Sequence, residues 1–527
     1  MKILNTKQLK AADRATILNE PIESIDLMER AAIQCVRWFY ENDLDDSKKI
    51  HIFCGMGNNG GDGLAIARYL YKENSITGTY LVHFSKNMSD DFITNYKRAE
   101  EIDLFPVSIH SEDDFPAISK DDIVIDAIFG VGLTRAVTGF TKKLIQYINN
   151  SGATIYSIDV PSGLFIDKPV IDKQAVIKSD MTLTFQTPKL AFLLPDSKDF
   201  VKDFTILNIG LDKNFIDKID TNIHFTLAED LIPLVKSRTK FSHKGSFGHS
   251  LLIGGSFGKI GAVVLASKAA VKSGSGLVTA FIPKCGYQII QTAVPEVMVE
   301  VDAENKLEYF NFKVKPSVIG VGIGMGTDDK TAEAFGKFLQ SNKLPLVIDA
   351  DAINIISKNK EFLNYIPENS ILTPHPKELE RLIGKWESDY DKLNRVALFS
   401  TKYKLIVVVK GAHTLVVQNN HLYFNSTGNP ALATPGSGDV LTGIITGFLA
   451  QGYKPLTAAK IAVFVHGKTA DIATLYSGTV LLASEIIQLL PEAFEILIYP
   501  EMEQDDEIID DDYLDDMFFD DNFEAPF

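Results

Sequence analysis

Lys49-Ile50-His51-Ile52-Phe53-Cys54, a short apolar run, passes through Gly55-Met56-Gly57-Asn58-Asn59-Gly60-Gly61-Asp62-Gly63 into the helical pattern Leu64-Ala65-Ile66-Ala67-Arg68-Tyr69-Leu70. A second β-like run, Thr79-Tyr80-Leu81-Val82-His83-Phe84, follows. Strand, glycine turn, helix and strand in that order make a βαβ unit, which implies a parallel sheet covered by helices. Two further runs, Asp122-Ile123-Val124-Ile125-Asp126 and Thr154-Ile155-Tyr156-Ser157-Ile158-Asp159, each end in an aspartate. Open α/β sheets bind ligands at the carboxyl ends of their parallel strands, so Asp126 and Asp159 are expected to serve one site. The opening helix, about Lys7 to Tyr40 with a break near Pro21, is expected to pack outside this unit.

Further along, a polar and weakly patterned stretch from Leu211 to Lys244 reads as a domain junction. A second α/β run starts at His249-Ser250-Leu251-Leu252-Ile253-Gly254 and continues through expected strands near 277–282, 317–321, 345–349, 370–373 and 404–409. Helices fall between them, and two more near 438–450 and 456–476 close the domain. The glycine motifs of the two runs differ, so these are two α/β domains and not one domain repeated. A chain of 527 residues is too long for one ordinary core and suits that division. The expected layout is a first domain over 1–212, a junction over 213–224, a second domain over 225–500 and a tail over 501–527.

Formal charge is −17, which argues against a nucleic-acid binder relying on a basic surface. Residues 501–527 hold 13 Asp or Glu and no Lys or Arg, leaving only −4 on the other 500 residues. The body is therefore nearly balanced. The tail mixes its acids with Tyr513, Phe518, Phe519, Phe523 and Phe527; it reads as a disordered acidic extension, a docking segment being the other reading. Only Cys35, Cys54 and Cys285 occur, without a CxxC pair, which suits a reducing cytosol and speaks against a disulfide framework or structural zinc. No apolar h-region precedes Lys10 and Asp13, so no secretory signal is expected. Leu481 to Tyr499 is the most lipid-like stretch, but Glu485, Glu492 and Glu495 interrupt it. A cytoplasmic protein without a membrane partner is the expectation.

Gly55, Gly57 and Gly60 formally satisfy G-x-G-x-x-G, in which glycines let the backbone approach a phosphate at a helix N-terminus. The dinucleotide fingerprint also needs an acid at the end of the second strand, and here that strand ends His83-Phe84-Ser85. A conventional dehydrogenase is thus disfavoured. Asn58, Asn59 and Asp62 add side-chain oxygens that a plain phosphate cradle does not need, a tight Gly-Asn turn being the bland alternative. Asp126-Ala127-Ile128-Phe129-Gly130 and Asp159-Val160-Pro161-Ser162-Gly163 supply two more strand-end loops. Each aspartate alone reads equally as a cap or turn former, but three such loops at one sheet edge are less easily explained that way.

These three segments together resemble the NAD(P)H-hydrate epimerase family, over about residues 1–212. The resemblance implies a Rossmann-like three-layer domain. It further implies that Asn58, Asn59, Gly60, Gly61 and Asp62, the loop Gly130-Val131-Gly132-Leu133-Thr134-Arg135-Ala136, and Asp159 contact a hydrated nicotinamide nucleotide. Asn59, Asp126 and Ser162 match positions that ligate a potassium ion, which fits a hard cation wanting several oxygens. Asp159 is the expected acid/base group, since the hydrated C6 centre inverts only through bond cleavage assisted by proton transfer.

In the second run, Lys259 follows Gly254-Gly255-Ser256-Phe257-Gly258, yet no G-x-x-x-x-G-K-[ST] frame fits and a Walker-type loop is excluded. Near the far end, Pro435-Gly436-Ser437-Gly438-Asp439-Val440-Leu441-Thr442-Gly443 opens an apolar helix. Its glycines aim N–H groups at developing negative charge, and a carboxylate beside them removes a hydroxyl proton. A helix N-terminus with packing glycines is the plainer alternative. The element resembles the anion hole and base of the ribokinase-like fold. With Thr373-Pro374-His375-Pro376-Lys377-Glu378 and Lys410-Gly411-Ala412-His413-Thr414 it resembles the ADP-dependent NAD(P)H-hydrate dehydratases, over about residues 225–497.

That resemblance implies that Ala262, Gly324, His375 and Asp439 contact substrate, and that Lys410, Gly411, Ala412, His413, Thr414 and Gly438 hold the adenine nucleotide, ADP accompanied by magnesium. Ser437 stands where threonine is more usual, and keeps the hydroxyl. Unaided, His375 between two prolines reads as often as a rigid loop residue, and Lys410 as the point where a strand meets solvent. The joint reading is a bifunctional enzyme, expected as a homo-oligomer, that epimerises NADHX and NADPHX and dehydrates their S epimers with Asp439 as base. Its rivals are a ribokinase-like small-molecule kinase with an accessory first domain, and a nucleotide-binding sensor.

Overall fold

In a computed structural model of the chain, residues 1–42, 47–72, 77–478 and 480–499 are described. The expected disordered tail over 501–527 lies outside the described residues. The chain divides into two compact units, Met1–Phe225 with Lys385–Ala397, and Thr226–Gly384 with the chain from Leu398 onward.

The first unit runs α1 (Thr6–Asn19), α2 (Ser24–Glu41), β1 (Ile50–Cys54), α3 (Asn58–Lys72), β2 (Thr77–Val82), α4 (Asp90–Glu100) and β3 (Val107–Ile109). It continues with β4 (Ile123–Ala127), α5 (Gly139–Asn149), β5 (Thr154–Ile158), β6 (Met181–Phe185), β7 (Phe204–Leu207), α6 (Lys213–Lys218) and β8 (Ile223–Thr226). Asn5 starts α1 with a capping box, its side chain accepting from the Gln8 N–H while Gln8 Oε1 accepts from the Asn5 N–H. Seven strands lie in the order β3-β2-β1-β4-β5-β6-β7, all parallel.

Alternation along the apolar strands makes the three layers. Ile50, Ile52, Cys54, Ile123 and Ile125 pack with Ala32, Phe39, Leu64 and Phe92 of α2, α3 and α4. Phe53, Val124 and Ile155 turn to the opposite face and pack with Leu144, Ile145 and Ile148 of α5. The strand order reverses between β1 and β4, the place where an open parallel sheet splits to admit a ligand. Residues 213–224, read from the sequence as the junction, carry α6 and the start of β8. Asp212 caps α6 by accepting from the Phe215 N–H at 3.1 Å.

The second unit contains α7 (Ala228–Leu231), β9 (His249–Gly254), α8 (Ile260–Lys272), β10 (Leu277–Ile282), α9 (Tyr287–Ala293), β11 (Met298–Val301), β12 (Val318–Ile323), α10 (Asp329–Ser341), β13 (Leu346–Ile348) and α11 (Ala350–Lys358). Then come β14 (Ile371–Leu372), α12 (Pro376–Ile383), the end of α13 (Asp389–Tyr403) from Leu398 on, β15 (Ile406–Val409), β16 (Leu415–Gln418), β17 (His421–Asn425), α14 (Ser437–Ala450), α15 (Pro455–Ser477) and α16 (Ala483–Ile498). Its strands run β11-β10-β9-β12-β13-β14-β15-β16-β17, parallel as far as β15 and antiparallel beyond.

The lipid-like stretch forms α16, a third closing helix that the sequence reading lacked. Ile486, Ile487, Leu490, Ala493 and Leu497 enter the core with α14 and α15, while Glu492 and Glu495 face solvent. No helix among the described residues is long and apolar enough to cross a membrane.

Candidate functional site

At the carboxyl ends of β1, β4 and β5 the first unit holds a cavity of about 870 Å³. Asn58, Asn59, Asp62, the whole loop Gly130–Ala136 and Asp159 line it together. Gly60 and Gly61 are buried behind this lining for a packing reason. A Cβ on Gly60 falls 1.8 Å from the Gly55 carbonyl oxygen, and one on Gly61 falls 2.7 Å from Met28 Sδ. Asn58 to Asp62, read as a loop, are the opening turns of α3, whose positive end therefore meets the cavity.

Asp126 and Ser162 lie beneath the cavity wall. The Asp126 carboxylate accepts from Ser162 Oγ at 2.5 Å, Ser162 N at 2.8 Å, Ser157 Oγ at 3.0 Å and Ile128 N at 3.3 Å. Burial pushes its pKa up while these bonds pull it down, and no Lys or Arg pairs with it among the described residues. Asn59, beside Gly130, is 8% exposed, and its Nδ2 has no hydrogen-bond partner. A buried carboxylate without a counter-charge, amid amide and hydroxyl oxygens, fits an oxygen-seeking monovalent cation.

Asp159 follows β5 with φ +63°, a left-handed backbone unusual outside glycine. Its carboxylate accepts from the Phe185 N–H at 3.3 Å and forms an ion pair with Lys189 Nζ at 2.9 Å. Lys189 also donates to the carbonyls of Phe185 and Thr187. The sequence reading missed this lysine, although it stands just beyond β6, the strand beside β5. It missed Asp13 as well. The opening helix, expected outside the unit, instead lines the cavity with Leu9, Lys10, Asp13 and Ile17 of α1. Burial, then Asp159, push the Asp13 carboxyl up to about 6, against Lys189 and Lys10. Burial, Asp159 and Asp13 also drive Asp62 well above the carboxylate range.

In the second unit the candidate residues gather at the carboxyl ends of β9, β12, β13 and β15 and at the start of α14. Lys410 Nζ lies 2.9 Å from Asp349 Oδ1, and Thr442 Oγ1 donates to Asp349 Oδ2 at 2.8 Å. A Cβ on Gly438 falls 3.3 Å from Lys410 Nζ, so the ammonium stands against the first turn of α14. Asp439 is pushed up to about 7 by burial and by Asp349, against the pull of Lys410. Burial lowers the Lys410 ammonium, but Asp349, Glu378 and Asp439 leave it raised overall.

Gly324, at φ +61°, abuts Ala262, where a Cβ on it falls 3.2 Å from the alanine's own. Ser256 Oγ donates to the Gly324 carbonyl at 2.9 Å. His375 caps α12, its Nδ1 accepting from the Lys377 N–H at 3.1 Å while Nε2 stands 3.4 Å from Glu378 Oε1. Gly411, Ala412, His413 and Thr414 form the turn joining β15 to β16, with Gly411 and Ala412 exposed. Asp349 and His466 escaped the sequence reading. Burial holds the His466 imidazole down at about 4, and its Nε2 lies 3.2 Å from Ser437 Oγ. No cluster of three His, Cys, Asp or Glu side chains forms a metal cage among the described residues.

The sequence also matches two families described as YjeF-related protein N-terminus, over residues 24–191, and NAD(P)H-hydrate dehydratase, over residues 250–492. A bifunctional NAD(P)H-hydrate repair enzyme Nnr of Dictyoglomus turgidum is 32% identical over 519 residues, 94% of this chain and 99% of that one. Its Escherichia coli namesake is 32% identical over 462 residues, 85% of this chain and 84% of that one. A crystal structure of the Bacillus subtilis ADP/ATP-dependent NAD(P)H-hydrate dehydratase, 27% identical, covers 53% of this chain and 100% of its own, with a TM-score of 0.46. Matched along almost its whole length to relatives of one name, the chain belongs to the family of bifunctional NAD(P)H-hydrate repair enzymes.

Proposed function

We propose that the first unit interconverts the R and S epimers of NADHX and NADPHX, and that the second dehydrates the S epimers while ADP becomes AMP and phosphate. The observation that carries the reading is Asp439, a carboxyl at about 7 in the first turn of α14 beside Lys410. A base of that strength takes a hydroxyl proton near neutral pH. In the proposed sequence Asp439 removes the proton of the C6 hydroxyl, and the oxygen attacks the terminal phosphoryl group of ADP, releasing AMP. Phosphate then leaves C6 with the C–O electron pair as a proton is lost from C5, restoring the dihydronicotinamide. Hydroxide is a poor leaving group; phosphate is a good one.

Lys410 and Gly438, with the turn Gly411 to Thr414, are assigned to the nucleotide, and Ala262, Gly324 and His375 to the hydrated substrate. Magnesium bound with ADP supplies neutralising charge at its phosphates. In the first unit, Asn58 to Asp62 and Gly130 to Ala136 are assigned to substrate binding and Asp159 to proton transfer. Asn59, Asp126 and Ser162 are assigned to a potassium ion, which supplies the positive charge that lets phosphate approach these carboxylates.

An absorbance assay tests the reading. Mixed R and S hydrate is supplied with ADP, or with ATP in parallel, and recovery is followed at the dihydronicotinamide band. Both epimers are recovered by the wild type, the S fraction alone by Asp159→Ala after subtracting spontaneous epimerisation, and neither by Asp439→Ala. Phosphorylated product accumulating without recovery makes the second unit a small-molecule kinase and overturns the repair reading.

A further inference from the structure

Leu9, Asp13 and Ile17 stand four residues apart on α1 and line the first unit's cavity as one stripe, with Ala12 and Thr16 buried alongside. A carboxyl in the inward stripe of an amphipathic helix is costly. No hydrogen bond or ion pair to Asp13 offsets that cost among the described residues. Asp159 reaches the same cavity from the end of β5, and Lys189 is already committed to it and to two backbone carbonyls. Asn59 lines the cavity too, nine-tenths buried with an unpartnered Nδ2, a second mark of a place built for a polar ligand.

We propose that Asp13 is the second acid–base group of the epimerisation, exchanging a proton with the substrate from α1 while Asp159 does so from β5. The proposal rests on the epimerase reading of this unit. C6 of the hydrate carries a hydroxyl and is bonded to ring N1. One carboxylate takes the hydroxyl proton, the O–H electron pair becomes the second C–O bond, and the C6–N1 bond breaks. The electron pair left on N1 takes up the proton of the other carboxyl group. Half a turn about the C5–C6 bond, followed by the same steps in reverse, closes the ring on the opposite face of the carbonyl. Both carboxyl groups end as they began, and no co-reactant is consumed.

The groups facing Asp13 explain why it is suited to this. Burial and then Asp159 oppose its ionisation, Lys189 and Lys10 favour it, and the balance leaves the carboxyl at about 6. It therefore holds or releases a proton within about a unit of neutrality.

The test uses the full chain and the R epimer of NADHX alone, following R-to-S conversion by chromatographic separation with the spontaneous rate subtracted. ADP-dependent recovery from pure S epimer in the same preparations reports the second unit. Asp13→Asn is expected to lower kcat for interconversion at least about 100-fold, to leave KM for the R epimer within about threefold, and to leave S recovery unchanged. Asp13→Glu, which keeps the carboxyl, is expected to recover most of that loss. The wild-type rate is expected to show an inflection near pH 6 that Asp13→Asn lacks. Asp13→Asn turning over at the wild-type kcat, or losing affinity alone, overturns the proposal. If Asp13→Asn fails to fold, Asp13→Glu and the wild-type profile decide: a glutamate variant as slow as background, or no inflection between pH 5 and 7, overturns it. A wild type that does not interconvert the epimers, while recovering S, overturns the parent reading instead.

Discussion

Lys189 Nζ lies 2.9 Å from Asp159 Oδ1, and the lysine side chain is 1% exposed. The left-handed backbone of Asp159, with the Val160 N–H donating to the Ile158 carbonyl at 2.8 Å, turns the chain sharply after β5. A buried cation fixes the carboxylate at that turn.

Removing one partner of such a pair leaves an uncompensated charge, which costs about 3–5 kcal/mol. Lys189→Met is expected to lower the melting temperature of the first unit and to abolish epimerisation. Lys189→Met with Asp159→Asn recovers stability without recovering activity. Calorimetry on the three variants checks this, and a double variant no more stable than Lys189→Met refutes it.

Asp439 sets a pH dependence whose sign is fixed. Its folded pKa of about 7 lies above the ordinary carboxylate value of 3.8, so the folded chain retains a proton that the unfolded chain loses. Its contribution to stability is present below about pH 4 and declines as pH rises through 7. The difference in melting temperature between wild type and Asp439→Asn is expected to change in that window. Dehydration kcat/KM is expected to rise across it, with a midpoint near 7 measured under limiting substrate.

Two glycines of one motif are expected to behave oppositely. A Cβ on Gly60 meets the Gly55 carbonyl oxygen at 1.8 Å, whereas one on Gly57 meets nothing within 4 Å. Gly60→Ala is expected to lose more than about 3 kcal/mol, or to be insoluble, because backbone must move. Gly57→Ala folds with wild-type stability, which thermal melts of both variants will show.

Potassium is expected to raise the melting temperature of the first unit relative to choline chloride at equal ionic strength. Asp126→Asn removes the carboxylate charge and is expected to abolish that rise. A rise that persists in Asp126→Asn removes this residue from the cation site.

Much was legible in one dimension. The near-continuous apolar runs Ile50 to Cys54 and Ile123 to Ala127 name strands buried on both faces, and each glycine-rich strand end marks a ligand-binding edge. Local chemistry also pointed to Asp439 at a glycine-rich helix start, whereas Asp159 taken alone read equally as a turn former. The short strands β3, β11, β16 and β17 left weaker patterns, being only three to five residues long.

Tertiary structure alone decided which charges meet. Asp13 lies on a helix 146 residues before Asp159, and Lys189 lies 30 residues after it, yet electrostatics couples all three at one cavity. In the other unit Asp349 reaches Lys410 across 61 positions and Thr442 across 93. Sequence periodicity records which face of an element is apolar, because that depends on spacing along one helix or strand. The proton affinity of a carboxyl depends on burial and on the charges within a few ångströms, and those are set only when separate elements pack.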